Sequence, residues 1–564
     1  MAGRRLLWCG IPTLRRQSDL RGSRVKIAFL ASAAAIALVA NPAIAGTIGD
    51  YMDYDGGATT VFDGPVGGGG GAASLPSVTS GFQGLSQYDT RALNGGFSSI
   101  PPDTMGAVGR TQFVEVVNGG FAVFDKATGA RTVAMSDKTF WANAGRPGGT
   151  NGDPRVMYDK VSNKWIALSF SGTTLADIQI AVSKTSNAAG AWRSTSFTGF
   201  AGGIADFPTL AIDKNAVYIG TNNFGGPTNS FKGTTLNVLS LANLVAKSGP
   251  STAGLVQFNT PCCAATDDFT RGYAIQGVNS TANTTTGKVL AVSIQANGLT
   301  RYDIANAGTP GATRGASTDF LGINDYTRNG PGRQPSPITA NRRIIDTSDD
   351  RVASSVWEVN GRIYSVHTVT NVGTTHTVVR YDVIDSATNT VLDEGDIGDS
   401  VHDFYQGSLA VNPLGQVVIA YNRSGYGADG KISILARTFS TTAAGTLKAV
   451  GSELLLKVSD TNDYHNGSID GGNATGRQRW GDYSAVNVDP TSIHKFWLIG
   501  EFGREPNNAA NGHVGGTGGT RWGTYIGSVN AGTVPEPASW ALFIGGFGIV
   551  GAMQRRRRSG YATA

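Results

Sequence analysis

The sequence predicts an all-β protein, a β-propeller for which seven blades is the number that fits best. Three observations lead to this prediction: a glycine-rich composition with few charges, a short motif that recurs along the chain, and alternating apolar runs after its copies. Of the 564 residues, 78 are glycine and 15% are charged, against averages of about 7% and about 25%. Long surface helices need more Glu, Lys and Arg than this, whereas short strands joined by tight turns do not.

The recurring motif has four positions: an apolar residue, any residue, a second apolar residue, and then Asp, Asn or Gly. Clear copies end at Asp159, Asp213, Asn360, Asn412 and Asp489, and weaker copies end at Gly109 and Asn279. Repeats spaced by several tens of residues are typical of solenoids, propellers and arrays.

Further strands are predicted after these copies, because apolar and polar residues alternate there and Gly, Asn and Asp mark the turns. Second strands are predicted at residues 164–171, 216–224, 362–370, 416–424 and 495–503, and third strands at 178–184, 236–241, 377–383, 432–438 and 522–529. A unit of three or four antiparallel strands repeated about seven times fits a β-propeller over residues 100–530. Two β-sandwich domains are the alternative. In a propeller the first strands line a crowded central channel, which suits the small residues Gly106, Ala211, Ala410 and Ala485 in the copies.

The N-terminus predicts export. Lys26 precedes an apolar run at residues 27–40, and Ala43 and Ala45 form a small-residue cleavage pattern. These features predict a secretory signal peptide at residues 1–45, cut after Ala45; the residues before the apolar run are numerous enough that Val25 is an alternative start. Residues 46–99 follow as a Gly-rich linker or arm.

The C-terminus carries a three-part pattern. Pro535, Glu536 and Pro537 precede Trp540, an apolar run extends from there to residue 553, and an arginine cluster follows. The cluster is Arg555, Arg556, Arg557 and Arg558. The apolar run is short for a spanning helix, which needs roughly 17–25 residues, and the arginines would hold its end in the cytoplasm.

Residues 534–558 closely resemble the PEP-CTERM sorting signal of Gram-negative bacteria in its PEPxxWA form. The resemblance implies export, transient anchoring in the inner membrane by a transmembrane helix, and cleavage near the Pro-Glu-Pro triplet by an exosortase. It also implies association with extracellular polysaccharide and biofilm matrix. An ordinary tail anchor is the alternative.

The charge of the chain is concentrated at its ends. The full chain has a formal charge of +5; residues 1–45 contribute +6 and the tail from Glu536 contributes +3, which leaves the body at −4. A weakly acidic body without a basic run in its sequence excludes nucleic acid as a predicted partner.

The body resembles secreted bacterial proteins with sialidase-like propellers of the BNR type. The resemblance rests on residues 101–129, 153–171, 181–197 and 479–490. The third segment contains a degenerate Asp-box turn with Ser183 and Trp192 in place but without its Asp. Such a turn is structural, so the resemblance implies a fold and brings no activity with it.

The search for catalytic residues leaves them unknown. None of the six histidines has a metal-ligand spacing, and the sequence contains no nucleophile elbow. A sialidase would need an arginine triad and a nucleophilic tyrosine, for which Arg155, Arg351, Arg479 and Tyr483 are available without a motif that links them.

Two groups of acidic residues are candidate metal ligands, with calcium as the possible cofactor. One is an oxygen-rich loop with Asp460, Asn462, Asp463 and Asp470, for which a solvated turn is the alternative. The other group comprises acids that precede the first strands: Asp103, Asp153, Asp206, Asp350, Asp403 and Asp482. They are predicted to gather at one end of the channel, with Asp153, Asp206 and Asp482 nearest the axis, and to bind a metal ion or a cationic group. Alternatively, each carboxylate caps its own turn.

Two adjacent cysteines, Cys262 and Cys263, lie within the body. Export favours a disulfide between them, and two buried thiols are the alternative.

The sequence as a whole predicts a non-catalytic surface or matrix propeller that binds polysaccharide or protein. A secreted sialidase-like glycan hydrolase is the second hypothesis.

Overall fold

The computed structural model describes residues 74–146, 149–261, 272–282, 284–292, 298–315, 321–335, 343–465, 475–511 and 518–532. Within these ranges the protein is mostly β-strand, which confirms the predicted all-β class. The helices are short: α1 (Gln87–Leu93), α2 (Asp137–Asn143), α3 (Leu241–Leu244) and one 3-10 turn (Ala509–Asn511). In the part of the chain described, no helix is long and apolar enough to cross a membrane. The tail at 534–558 lies outside it.

Thirty-two strands are described in these ranges. The first fourteen are β1 (Ser77–Ser86), β2 (Met105–Val108), β3 (Gln112–Val117), β4 (Gly120–Asp125), β5 (Arg131–Met135), β6 (Asn151–Asp159), β7 (Lys164–Ser171), β8 (Asp177–Ser183), β9 (Trp192–Thr198), β10 (Gly203–Asp206), β11 (Ala211–Ile212), β12 (Ala216–Gly225), β13 (Ser230–Ser240) and β14 (Val256–Pro261). The next ten are β15 (Tyr273–Ser280), β16 (Gly287–Val292), β17 (Leu299–Ala305), β18 (Thr313–Arg314), β19 (Tyr326–Thr327), β20 (Ile344–Ile345), β21 (Val356–Val359), β22 (Arg362–Asn371), β23 (Thr377–Asp385) and β24 (Val391–Ile397). The last eight are β25 (His402–Val411), β26 (Gln416–Gly425), β27 (Ser433–Thr441), β28 (Leu447–Val458), β29 (Arg477–Gln478), β30 (Ala485–Val488), β31 (Lys495–Pro506) and β32 (Thr520–Asn530).

Most of these strands form consecutive antiparallel units. Three four-stranded sheets have the orders β2-β3-β4-β5, β6-β7-β8-β9 and β25-β26-β27-β28. A sheet of order β10-β12-β13-β14 also carries β11 beside β12, so its first strand is split in two. The units β15–β18 and β21–β24 are joined into one sheet by the parallel pair β15 and β21, and β19 pairs with β22. β20 and β29 form a separate two-stranded sheet.

The last sheet is completed by the N-terminal strand, in the order β1-β32-β31-β30. Ser77 pairs with Asn530 and Phe82 with Ile526. The segment predicted as a linker therefore contributes β1 and α1 to the fold. Its Gly run suggested a linker up to residue 99, but the apolar strand that follows the run finds its partner more than 400 residues away.

The recurring sequence motif has a local physical cause. Its final Asp or Asn lies at the turn between the first and second strands, where its side chain accepts hydrogen bonds from the backbone. Asp159 accepts from the amides of residues 161 and 162, and Asp213 from those of residues 215 and 216. Asn412 and Asp489 cap equivalent turns. The motif therefore marks the β-hairpins of the units.

Small residues allow the first strands to approach their neighbours closely. A Cβ added at Gly106 would lie 2.5 Å from the ring of Phe113 and 3.0 Å from Ile499. Ala211 and Ala410 are fully buried, and Ala485 is nearly so. These residues belong to apolar clusters shared between successive units.

Candidate functional site

Four of the predicted aspartates come together where the first strands begin. Asp103 precedes β2, Asp153 lies in β6, Asp206 ends β10 and Asp482 precedes β30. The charges of the other three all act on the carboxyl of Asp153. All four residues are buried, with at most 8% of the residue surface exposed. The structure thus brings together Asp153, Asp206 and Asp482, as the repeat predicts, and adds Asp103.

Hydrogen bonds link these aspartates from one unit to the next. The Asp482 amide donates to Asp103 Oδ1 (3.1 Å), and Asn118 Nδ2 donates to Asp103 Oδ2 (2.6 Å). Asn118 Oδ1 in turn accepts from the Asp153 amide (2.9 Å), and Asp153 Oδ2 accepts from the Phe207 amide (3.1 Å). Asp103 and Asp153 therefore cap the backbone of a neighbouring unit, whereas the alternative prediction had each carboxylate capping its own turn.

A left-handed backbone conformation accompanies this network. Asp103, Asp153, Phe207, Ala274 and Gln406 have φ between 48° and 54°, a region that is costly for side-chain-bearing residues. They lie at comparable places in successive units, and the Ala274 amide donates to an asparagine of the preceding unit. The bonds between units hold the chain in this conformation.

Burial makes the acids of the site hard to ionise. It raises the pKa of Asp103 to about 7, and the Asp482 carboxylate acts in the same direction. Burial also raises the pKa of Asp153 and of Glu501 well above their usual values. Asp153 Oδ1 accepts no N–H or O–H bond from the described residues. A proton on this oxygen can form a hydrogen bond to Asp103, which lowers the repulsion between the two carboxyl groups.

The predicted arginines also converge here. The Arg155 guanidinium lies 3.4 Å from the ring centroid of Tyr483 and donates to the carbonyls of Pro208 (3.0 Å) and Ala353 (2.9 Å). Arg479 Nη2 lies 3.2 Å from Asp482 Oδ1.

Arg351 joins the same group from another unit. It pairs with Asp349 (2.5 Å) and lies 4.3 Å from the ring centroid of Phe207. Its Nη2 also contacts the hydroxyl of Tyr273 at 2.7 Å. Three arginines from three units are thereby fixed by carbonyls, carboxylates and aromatic faces.

The geometry of Tyr483 differs from that of an activated nucleophile. Its hydroxyl donates to the Pro154 carbonyl at 3.2 Å, and burial raises its pKa well above the usual value. A nucleophile requires an adjacent base that accepts its proton, and a backbone carbonyl cannot take a proton in this way.

A small cavity opens beside this group. Asp349, Arg351, His367, Gln406 and Asp482 supply its polar lining. Its volume of about 10 Å³, counted as the space open to the centre of a water molecule, is enough for about one water. A ligand larger than water would remain outside this cavity. Beside it, Arg479 pairs with the lining residue Asp482 and keeps 30% of its side chain exposed.

Two other predicted aspartates serve different contacts. Asp403 pairs with Arg333 (2.7 Å) and His376 (3.2 Å), and in its unit Gln406 has the left-handed backbone. Burial and the neighbouring carboxylate of Asp349 raise the pKa of Asp350, and Tyr326 forms a hydrogen bond with its side chain. The bulge of β25 lies between Tyr405 and Ser408, and Gln406 occupies the left-handed position that Asp153 occupies in the bulge of β6. The sequence pattern therefore aligned Asp403 with Asp153, although it lies three residues before the equivalent position.

In the predicted calcium loop, basic side chains contact two of the acids. Asp463 forms a buried ion pair with Arg343, and Asp460 lies 3.3 Å from Lys457 Nζ. Asn462 is exposed, and Asp470 lies outside the described residues. Among the residues that the structure describes, no three His, Cys, Asp or Glu side chains form a ready metal site. A metal role for either group remains a prediction.

The degenerate Asp-box turn connects β8 and β9. Ser183 Oγ accepts from the Trp165 amide (2.9 Å) and donates to the Thr185 carbonyl (2.7 Å). The buried Trp192 indole donates to the Ala188 carbonyl at 2.8 Å. These contacts fit a structural role for the turn.

Sequence reasoning missed Asn118 and Glu501. Glu501 accepts the Gly481 amide at 2.7 Å and lies near Asp103 and Asp482. Asn118 lies in the turn after β3 and Glu501 lies in β31, where no repeat aligned them with the aspartates. Cys262, Cys263, both cleavage regions and the arginine tail lie outside the described residues.

Comparison with known proteins identifies one short motif. The PEP-CTERM protein-sorting motif matches residues 533–558. This motif indicates an exported protein that is sorted and processed by an exosortase, consistent with delivery to the cell surface. No curated protein is detectably similar to the chain.

Similar solved structures are remote. A protein of unknown function from Dyadobacter fermentans DSM 18053 is 10% identical, with a TM-score of 0.36, over 81% of this chain and 98% of that one. The extracellular domains 1-2 of Drosophila Semaphorin 1b are 9% identical, with a TM-score of 0.35, over 81% and 87%. A bifunctional GH43-CE protein from Bacteroides eggerthii is 11% identical, with a TM-score of 0.31, over 74% and 44%. At these scores the sialidase-like resemblance of the body gains no support.

Proposed function

We propose that this exported protein is a seven-bladed β-propeller that acts without catalysis as a surface or matrix protein and binds polysaccharide or another protein. Its body lies outside the cell, and the apolar tail anchors it in the inner membrane until an exosortase cuts near Pro535-Glu536-Pro537. The binding site is the surface beside the small cavity, at Arg479 and its partner Asp482.

The strand order supports the propeller. Within the described residues, seven units of four antiparallel strands follow one another, and the last takes its outer strand from the N-terminus. First strands make contact in most pairs of neighbouring units, and β30 of the last unit contacts β2 of the first. A β-sandwich does not repeat one unit in this way.

The non-catalytic assignment rests on one observation: backbone contacts already engage the polar groups around Asp103, Asp153 and Arg155. Aspartate oxygens accept backbone amides of neighbouring units, and Arg155 donates to two carbonyls under an aromatic ring. Groups so engaged position the strands and are poorly placed to exchange protons with a substrate. Arg479, which pairs with the buried Asp482 beside the cavity, keeps 30% of its side chain exposed, so a polar ligand can contact it there.

The test is binding of the processed, secreted protein to exopolysaccharide from the producing organism, measured by co-sedimentation. Arg479→Gln combined with Asp482→Asn should weaken binding about tenfold, as expected for the loss of charged hydrogen bonds. Arg477→Gln is the matched control, because Arg477 is 64% exposed and pairs with Asp346. Equal weakening by the control, or no binding to polysaccharide and no captured protein, contradicts the proposal.

A sialidase-like hydrolase is the second candidate. The convergence of Arg155, Arg351, Arg479 and Tyr483 favours it. Release of free sugar from a sialylated or exopolysaccharide substrate, abolished by Tyr483→Phe in a folded variant, would establish this activity and overturn the non-catalytic assignment.

A further inference from the structure

A second concave site lies on the strands that follow β6. It is a cavity of about 220 Å³ whose lining includes Lys164, Lys184, Arg193 and Lys247, with an apolar floor from Val182 and Leu244. The first three residues come from β7, the end of β8, and β9. Lys247 comes from the segment after α3, so two neighbouring units form the site. We name these four cations the basic pocket.

The basic pocket has an unbalanced charge. Its lining contains no Asp or Glu, and none of its four cations forms an ion pair with any residue in the described ranges. The nearest acid in the strand register is Asp159, opposite Lys164, and its two oxygens accept backbone amides of its own turn. Four like charges facing one cavity repel one another unless an anion occupies it.

Backbone contacts hold two of the cations in place before any ligand binds. Lys164 Nζ donates to the Val245 carbonyl (2.8 Å), and Arg193 Nη1 donates to the Lys247 carbonyl (3.1 Å). Gly249 allows a close approach, since a Cβ there would lie 3.3 Å from Arg193 Cδ. Each of these contacts uses one N–H of its side chain, so further donors remain for a ligand. Preorganised donors lose less entropy when they bind an anion.

We infer that the basic pocket binds the acidic groups of an anionic polysaccharide, a ligand class that rests on the proposed polysaccharide-binding function. The arginine fork matches a carboxylate or a sulfate ester in bidentate geometry, and the lysines add point charges. The cavity is smaller than the roughly 300–1,000 Å³ of drug-sized ligand sites, so it takes one acidic sugar unit of a longer chain. The buried acids around Asp103 and Asp153 would repel such a group. The two sites therefore differ in the charge of the ligand that each can bind.

The experiment measures binding of the full, processed protein to immobilised polygalacturonate, dextran sulfate and neutral dextran. The test variant is Lys184→Glu with Lys247→Glu, because both side chains are exposed and their ammonium groups form no hydrogen bond with the residues that the structure describes. The control is Lys138→Glu with Lys448→Glu, which makes the same change of charge at exposed lysines elsewhere. Circular dichroism checks that both variants fold.

The expected result is binding to at least one anionic polymer that is weakened at least about tenfold in the test variant, little changed in the control, and reduced by added salt. A preference for polygalacturonate identifies carboxylates as the ligand, and a preference for dextran sulfate identifies sulfate esters. Equal weakening in both variants, or none in either, overturns the inference.

Two further outcomes separate this inference from the proposed function. If neutral dextran or the native exopolysaccharide binds equally to wild type and test variant, polysaccharide binding stands and the basic pocket is overturned as its site. If inorganic phosphate alone raises the melting temperature and no polymer binds, the pocket is an anion site without a polysaccharide role, and the inference is overturned together with that part of the proposed function.

Discussion

The amide of Phe207 donates a hydrogen bond to Asp153 Oδ2 at 3.1 Å, across 54 positions of the chain. Both residues have a left-handed backbone, and the bond joins the first strands of two neighbouring units. The sequence suggested a local cap or a metal ligand for Asp153. In the structure its side chain connects two units, and a substitution can test this role.

Asp153→Ala should lower the free energy of unfolding by about 1–3 kcal/mol, because it leaves the buried Phe207 amide without its acceptor. Asp153→Asn should cost much less, since its amide oxygen still accepts and burial already favours the uncharged form of Asp153. Urea denaturation of both variants measures the difference. Equal destabilisation by the two would mean that the site requires the negative charge.

Stability should fall as the pH rises from about 4 to about 7, in part through Glu115. Burial raises the pKa of Glu115 to about 7, so the folded state binds more protons than the unfolded state in this window. Unfolding free energy decreases with pH wherever the folded state binds more protons.

Glu115→Gln should flatten this dependence while preserving contacts to the Leu85 amide (2.9 Å) and the Thr524 hydroxyl (2.5 Å). The measurement is urea denaturation at several pH values. Asp125→Asn is the control. Hydrogen bonds lower the pKa of the Asp125 carboxyl, so the loss of its titration should change stability only below about pH 4. An unchanged slope in Glu115→Gln would contradict the assignment.

Calcium or manganese should raise the melting temperature by a few degrees if the buried aspartates Asp153, Asp206 and Asp482 bind a cation. Asp482→Asn should weaken the response. Burial raises the pKa of Asp103 and of Asp153, so a cation would compete with protons for these carboxyl groups and the shift should be larger at pH 8 than at pH 6. Differential scanning fluorimetry with each ion measures it. An absence of any response at either pH would leave the aspartates with their backbone-capping role alone.

Replacing Pro535, Glu536 and Pro537 with alanine should leave unprocessed protein in the inner membrane, because the sorting motif at residues 533–558 indicates processing by an exosortase. Membrane fractionation and mass spectrometry of the secreted protein report the outcome. Recovery of secreted wild-type protein with residues 540–558 intact would contradict cleavage near the triplet.

Cys262 and Cys263 should be oxidised to each other in the exported protein, because the compartment favours disulfides. Alkylation of the folded protein without reductant should then label neither thiol, and alkylation after reduction should label both. Labelling of both thiols before reduction would show instead that they are free.

The sequence by itself determined the strands and the C-terminal sorting motif. Alternating apolar residues are a property of one strand, and the Asp or Asn that ends each motif caps a turn only two to four residues away, so both could be read locally. The sorting motif is likewise a contiguous segment.

Only the tertiary structure decided which side chains meet. The pairing of Ser77 with Asn530, the bond between Asp153 and Phe207, and the assembly of the basic pocket from residues 164 to 247 depend on how units pack. The same packing pairs Asp403 with Arg333 and leaves Gln406 at the left-handed position of that unit. Contacts between units arise from geometry shared across tens to hundreds of residues, and a local pattern carries no information about them.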